Sequence, residues 1–167
     1  MKIKISHYII PTTYKTSKMK RNAFLIFLIV FSASCFSQKE LPVKWSFATL
    51  NQGKNNAELS FTATVIDEWH IYSQFIETGG PVPTSFTFTP DADYKLVGKV
   101  IEPKNPVKAF DKAFEMNITY FTGKVVFIQK INYLKPGTVI KGTLKFMACN
   151  GEQCIPPEDV EFSFTLK

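Results

Sequence analysis

Histidine, cysteine and net charge are what this sequence has least of, and each shortage closes a class of function. Of two histidines, only His70 lies beyond the first 37 residues. A cysteine protease needs a base beside its nucleophile. The single candidate is His70, in Trp69-His70-Ile71-Tyr72, whose plainest reading is a strand residue near the rim of the fold. With three cysteines, no Cys-x-x-Cys and no second histidine nearby, the chain offers no metal-site spacing. Met147, Cys149, Cys154 and His70 would make a thin set for Cu(I), a soft ion that favours sulfur. Neither a metal nor another cofactor is expected. The formal charge of +6 belongs to the N-terminus alone. Residues 1–37 hold six of the 20 basic residues and none of the 14 acids, so the remainder balances at 14 against 14. No basic stripe with interleaved aromatics is left to neutralise phosphates, which argues against nucleic acid as a partner. After Phe36 no apolar run is long enough to cross a bilayer. Convincing amphipathic helices, internal repeats and low-complexity segments are missing too.

What is present begins with a leader. Met19-Lys20-Arg21 is a basic start, Ala23 to Phe31 is a short apolar run, and Ser32-Ala33-Ser34 and Ser37 are small. This is the pattern of a secretory signal peptide. Residues 1–37 are therefore read as a leader, with Met19 as the true start and cleavage between Ser37 and Gln38. Cleavage there removes Cys35 and leaves two cysteines, an even count that suits an oxidising compartment. The competing reading lipidates Cys35, but Ser32 stands where a lipobox wants a large aliphatic residue. A short signal peptide and a Lys-rich, Arg-poor composition look bacterial, so export means the periplasm. Residues 38–167 are read as one domain, large enough for a real core.

Period-two alternation runs through that domain. Val43 to Phe47, Glu58 to Val65, Ser85 to Thr89, Tyr94 to Val100 and Glu161 to Leu166 all alternate apolar with polar. Alternation of this kind marks half-buried strands with one face on a core. Lys124 to Tyr133 and Val139 to Met147 are longer strands, joined across Pro136-Gly137, a turn dipeptide. Seven to nine such strands predict an all-β fold, an immunoglobulin-like antiparallel β-sandwich of two sheets. Thr78 to Thr84, with Gly79-Gly80-Pro81-Val82-Pro83, is a rigid connection shaping one end. Ala109-Phe110-Asp111-Lys112-Ala113-Phe114-Glu115 is read as a loop carrying two aromatic rings among charges. Either ring could plug the core edge, or one could cover a reactive group.

The reactive group is suggested by Cys149-Asn150-Gly151-Glu152-Gln153-Cys154-Ile155-Pro156-Pro157. Asn-Gly favours a tight turn because both residues tolerate positive φ, so the two cysteines can face each other at bridging distance. A six-residue ring stabilises by only roughly 2 kcal/mol, against about 4 to 5 for a ring of about a hundred residues. The pair is thus a poor staple and a good dithiol, since a small ring keeps the resolving thiol beside the attacking one. Pro156 and Pro157 stiffen the start of the next strand. Glu152, Glu158 and Asp159 surround Cys154 in sequence, with Lys145 as the nearby base. Negative neighbours disfavour a resting thiolate, which suits a thiol activated only on docking with a partner.

Trp69-His70-Ile71-Tyr72, Gly79-Gly80-Pro81-Val82-Pro83-Thr84, Phe110-Asp111-Lys112-Ala113-Phe114 and Cys149-x4-Cys154-Ile-Pro-Pro together resemble the N-terminal periplasmic domain of the thiol:disulfide interchange protein DsbD, over roughly Leu41 to Lys167. The resemblance implies an immunoglobulin-like fold and a redox-cycling cysteine pair acting in protein-disulfide reduction. It implies electrons received from a thioredoxin-like domain of a membrane electron transporter and passed to periplasmic thiol oxidoreductases. By motif, Cys154 would form the mixed disulfide and Cys149 would resolve it. The segment with Phe110, Asp111 and Phe114 would be the shielding cap, with Phe114 the favoured ring. Tyr72 and His70 would line the same pocket. Two departures stand out: the chain ends at Lys167, so the reductant would act in trans, and the cysteine spacing is one residue shorter than in the best-known members. The rival reading is a non-enzymatic sandwich that binds a protein or a ligand, with Cys149–Cys154 merely pinning a hairpin.

Overall fold

Alternation along a strand sends every second side chain to one face, and in the sandwich those faces meet in an aromatic core. The structure, a computed structural model, describes residues 41–112 and 114–167. The expected leader, with Cys35 and the expected cleavage site, lies outside the described residues. Eleven strands are found among them: β1 Val43–Gly53, β2 Asn56–Val65, β3 His70–Tyr72, β4 Ser85–Phe88, β5 Tyr94–Ile101, β6 Val107–Asp111, β7 Met116–Phe121, β8 Lys124–Tyr133, β9 Val139–Phe146, β10 Ala148–Cys149 and β11 Glu158–Thr165. All pair antiparallel, and no helix occurs among the described residues. The fold is the expected all-β immunoglobulin-like sandwich, with more strands than the sequence suggested and three sheets in place of two.

One layer has the order β1-β2-β8-β5 and faces a second, β11-β9-β4. Register places Phe47, Phe61 and Phe127 side by side across the first layer. Phe61 is fully buried, with ring centroids 4.8 Å from Phe86, 4.9 Å from Phe162 and 5.2 Å from Phe164. Edge-to-face contacts at such separations add to the area these rings bury. Gly142 explains how they fit. It stands between Phe88 and Phe162 in register, and a Cβ there would come within 2.4 Å of the Phe162 ring and 2.1 Å of the Thr87 carbonyl oxygen. The strand glycine makes room for a neighbour, a common reason for glycine inside a strand.

β5 departs from its sequence pattern. Only Tyr94 is buried, while Leu96 and Val97 are each 43 % exposed. The strand lies at a sheet edge and its register slips between Val97 and Ile101, with Gly98 at φ +71°. A bulge turns the apolar side chains out of phase with the core. The buried Gln129 fills the gap, its amide donating to the carbonyls of Val97 and Lys130.

The third sheet, β10-β3-β7-β6, carries the cysteines. Its strands have two to six residues. The chain passes from the second layer into this sheet at Met147, between β9 and β10. The segment around Phe110, read as a loop, is instead a hairpin. Asp111 pairs with Met116 at its end, and Val107 to Phe110 are exposed along β6. A strand with no buried face carries no alternation, so period two could not find it.

Candidate active site

Cys149 closes β10 and Cys154 faces it across a tight turn, the two joined by a disulfide with Cα atoms 4.1 Å apart. The turn is built by Asn150 and Gly151 in different ways. Gly151 takes φ +83°, the left-handed conformation that favours glycine. Asn150 is not left-handed, contrary to the sequence expectation. Its side-chain oxygen instead accepts from the amides of Glu152 (3.2 Å) and Gln153 (3.0 Å). Its own amide donates to the Gln153 carbonyl at 3.1 Å, and Ile155 N–H donates to Ala148 O at 2.9 Å. The ring is hydrogen-bonded on both sides of the sulfurs.

The sulfurs sit in unlike surroundings. Cys149 is 3 % exposed and packs in a small second core with Tyr72 and Ile118, flanked by Met116, Tyr120 and Met147. Cys154 is exposed. β3 supplies the floor: His70 lies opposite Cys149 and Ile71 opposite Ala148 in register. Tyr72 is fully buried. Its hydroxyl lies 3.3 Å from His70 Nε2, and the imidazole packs tilted against Tyr120 with centroids 4.4 Å apart. Burial lowers the pKa of His70, opposed by the nearby Asp111 carboxylate. Burial, helped by the same carboxylate, holds the Tyr72 hydroxyl protonated well above its ordinary range.

The β6–β7 hairpin forms a roof. Asp111 Oδ1 accepts from the Phe114 amide at 3.3 Å, and Glu115 takes φ +53° to close the turn. Phe114 is half-buried with its ring edge-on to Tyr72, 6.4 Å between centroids. Phe110 is 61 % exposed. Between roof and disulfide lies a cavity of about 380 Å³. One wall is Phe110, Asp111, Lys112 and Phe114, and the other runs from Cys149 through Gly151, Glu152 and Gln153 to Cys154. The structure thus brings the sequence-derived residues Phe110, Asp111, Phe114, Cys149 and Cys154 into one place. His70 and Tyr72 are not walls of the cavity; they lie behind the buried sulfur, because β3 is an inner strand of its sheet. A larger hollow of about 480 Å³ on the outer side of β9 and β11 is lined by Thr89, Lys141, Thr143, Glu161 and Ser163, without a cysteine.

The contacts of several supporting residues escaped the sequence reading, in which Thr78 to Thr84 is only a rigid connection. Thr84 Oγ1, buried, donates to the Tyr72 carbonyl at 2.6 Å. Glu102 accepts from Ser73 Oγ at 2.9 Å and from Gln74 N–H at 3.0 Å, fixing the chain where β3 ends. Gly80 lies so close to Ile76 and Met116 that a Cβ would sit 2.8 and 2.9 Å from their side chains. The Gly-Pro connection therefore braces this core. Ile118 and Tyr120 were signalled by the alternation Met116-Asn117-Ile118-Thr119-Tyr120. Lys112 lies in the segment read as the cap, where the sequence reading gives its charge no role.

A family model described as "Thiol:disulfide interchange protein DsbD, N-terminal" matches residues 38–166. Among solved structures, the N-terminal periplasmic domain of ScsB from Proteus mirabilis superposes with a TM-score of 0.57 at 18 % identity, covering 77 % of this chain and 48 % of that one. This chain thus spans about half of the ScsB structure. A complex between the DsbD N-terminal and PilB N-terminal domains from Neisseria meningitidis gives 0.50 at 16 % identity, covering 75 % of this chain and 87 % of that one. At such identities the likeness shows the fold. No curated protein matches the sequence significantly. With the family model spanning nearly all of the described domain and a disulfide at its cysteine pair, the chain belongs to the family of DsbD N-terminal domains, thiol–disulfide interchange domains of immunoglobulin-like fold.

Proposed function

We propose that this domain, residues 38–167, is an exported periplasmic module that takes electrons from the thioredoxin-like domain of a membrane electron transporter. It hands them to periplasmic thiol oxidoreductases through Cys149 and Cys154. The observation that carries this reading is the asymmetry of the disulfide: one sulfur buried, the other exposed in a cleft under an aromatic hairpin. An incoming thiolate has one sulfur to reach, that of Cys154. Attack there forms a mixed disulfide and expels Cys149 as a thiolate, which takes up a proton. The donor's second thiol then displaces Cys154, leaving the donor oxidised and both cysteines reduced. In the onward step the Cys154 thiolate attacks the acceptor's disulfide, and Cys149 attacks Cys154 to release the acceptor as a dithiol. Two electrons and two protons enter in the donor step and leave in the acceptor step. The complex of related domains from Neisseria favours a protein as the partner, and the leader favours export.

Replacing Cys149 with Ser while keeping Cys154 tests the relay. Mixed disulfides should accumulate at Cys154 in the periplasm. Mild destabilisation with nothing trapped would instead support a binding module with a structural hairpin bridge. The reduction potential measured against glutathione should lie above about −300 mV, and a value well below that marks an inert bridge.

A further inference from the structure

Every charged wall of the cleft is acidic except one. Asp111 comes from the roof and Glu152 from the cysteine turn, while Lys112 is the single base between them. Glu158 opens β11 beyond the turn, and Asp159 is already paired with Lys145 at 3.4 Å. Behind Cys149 stand His70 and Tyr72. Asp111 is engaged with the Phe114 amide. Lys112 is exposed and makes no hydrogen bond or ion pair with any described residue, although two carboxylates share its cavity. In the disulfide form the sulfurs themselves are neutral and offer an ammonium group no charge.

We propose that Lys112 is a positioning residue for the reaction: its ammonium group stabilises the Cys154 thiolate once the disulfide has been opened, so that the hairpin brings charge as well as cover to the sulfur. The inference rests on the reading of Cys154 as the attacking sulfur. On reduction the Cys154 thiol loses its proton to water, and the anion forms at the wall facing Lys112. An opposite charge within reach favours a thiolate, while the acids around it oppose. Removing the one cation leaves only opposing charges.

The test is the pH dependence of Cys154 alkylation by iodoacetamide, the thiolate displacing iodide. It is followed at the Cys154 peptide by mass spectrometry in the exported Cys149→Ser protein. Adding Lys112→Ala should raise the midpoint by about 0.5 to 1 pH unit. At pH 7 alkylation should slow about two- to fourfold, because a smaller thiolate fraction is partly offset by greater nucleophilicity. Lys112→Glu should raise the midpoint further, and Lys112→Arg should restore it. High salt should shrink the difference. A midpoint unmoved by Lys112→Ala, with circular dichroism showing the fold intact, overturns the proposal. Trapping by the Cys149→Ser protein separates the two readings. Partners trapped with an unmoved midpoint would remove Lys112 and keep the relay. A moved midpoint with no partner trapped would keep Lys112 and remove the relay.

Discussion

His70 is the residue whose placement says most about how this site responds to acid. Its ring is held between Tyr72 and Tyr120, and burial disfavours the imidazolium. Asp111 pulls the other way without cancelling the effect, so the folded pKa lies below the ordinary 6.5. Between the folded pKa and about 6.5 the unfolded chain binds more protons than the folded one. The stabilising contribution is therefore complete above that window and is lost as pH falls through it. The urea midpoint should drop between pH 7 and pH 5, and the drop should be smaller in His70→Gln. Exposed carboxylates titrate in both proteins, so the difference between the two slopes isolates the imidazole. Equal slopes would mean that its burial does not matter. Tyr72 contributes no such slope, because its hydroxyl keeps its proton throughout.

The β6–β7 hairpin is the element on which the chemistry of the site depends most. It is short, open to solvent on one face and joined to the rest of its sheet through β7 alone. β7 is anchored by the buried Ile118 and Phe121, but few buried contacts hold β6 and the turn, the physical signature of a locally unstable segment. Phe114 leans on Tyr72, whereas Phe110 points largely into solvent. Phe114→Ala should therefore speed alkylation of the reduced cysteines several-fold at a stability cost of about 1 kcal/mol, and Phe110→Ala should have the smaller effect. Equal rates in wild type and Phe114→Ala would end its role as a shield. The hairpin also shows where sequence reading reaches its limit. β2, β8, β9 and β11 were legible because each buries every second residue, as in Val125, Phe127, Gln129, Ile131 and Tyr133. The cysteine turn was legible because Gly151 and the paired prolines are rare, local punctuation. β6 buries nothing, and β10 has two residues. Their strand character comes only from pairing, β6 with its hairpin neighbour β7 and β10 with β3, which is distant in sequence. Lys112 reached the site because the long-range pairing of β7 with β3, and of β3 with β10, sets its hairpin beside the cysteines.

At the scale of the whole molecule, two cores divide the work. The large one holds Phe61, Phe127, Phe162 and Phe164 between the first two layers, and the small one holds Tyr72, Ile118 and Cys149 in the third sheet. They are joined where the chain turns at Met147 from β9 into β10. A redox-cycling pair has to open without unfolding its host, and this division allows it. Loss of a six-residue ring costs roughly 2 kcal/mol, while truncating one fully buried ring of the large core costs about 3 to 5 kcal/mol. Reduction of Cys149–Cys154 should therefore lower the urea midpoint modestly and leave a cooperative transition with unchanged slope, since the slope follows the surface exposed on unfolding. Phe61→Ala should lower the midpoint more and leave the reduction potential near its wild-type value, because Phe61 lies in the other core. If reduction alone abolished the cooperative transition, the bridge would be holding the fold together. A bond with that duty could not be broken in each turnover.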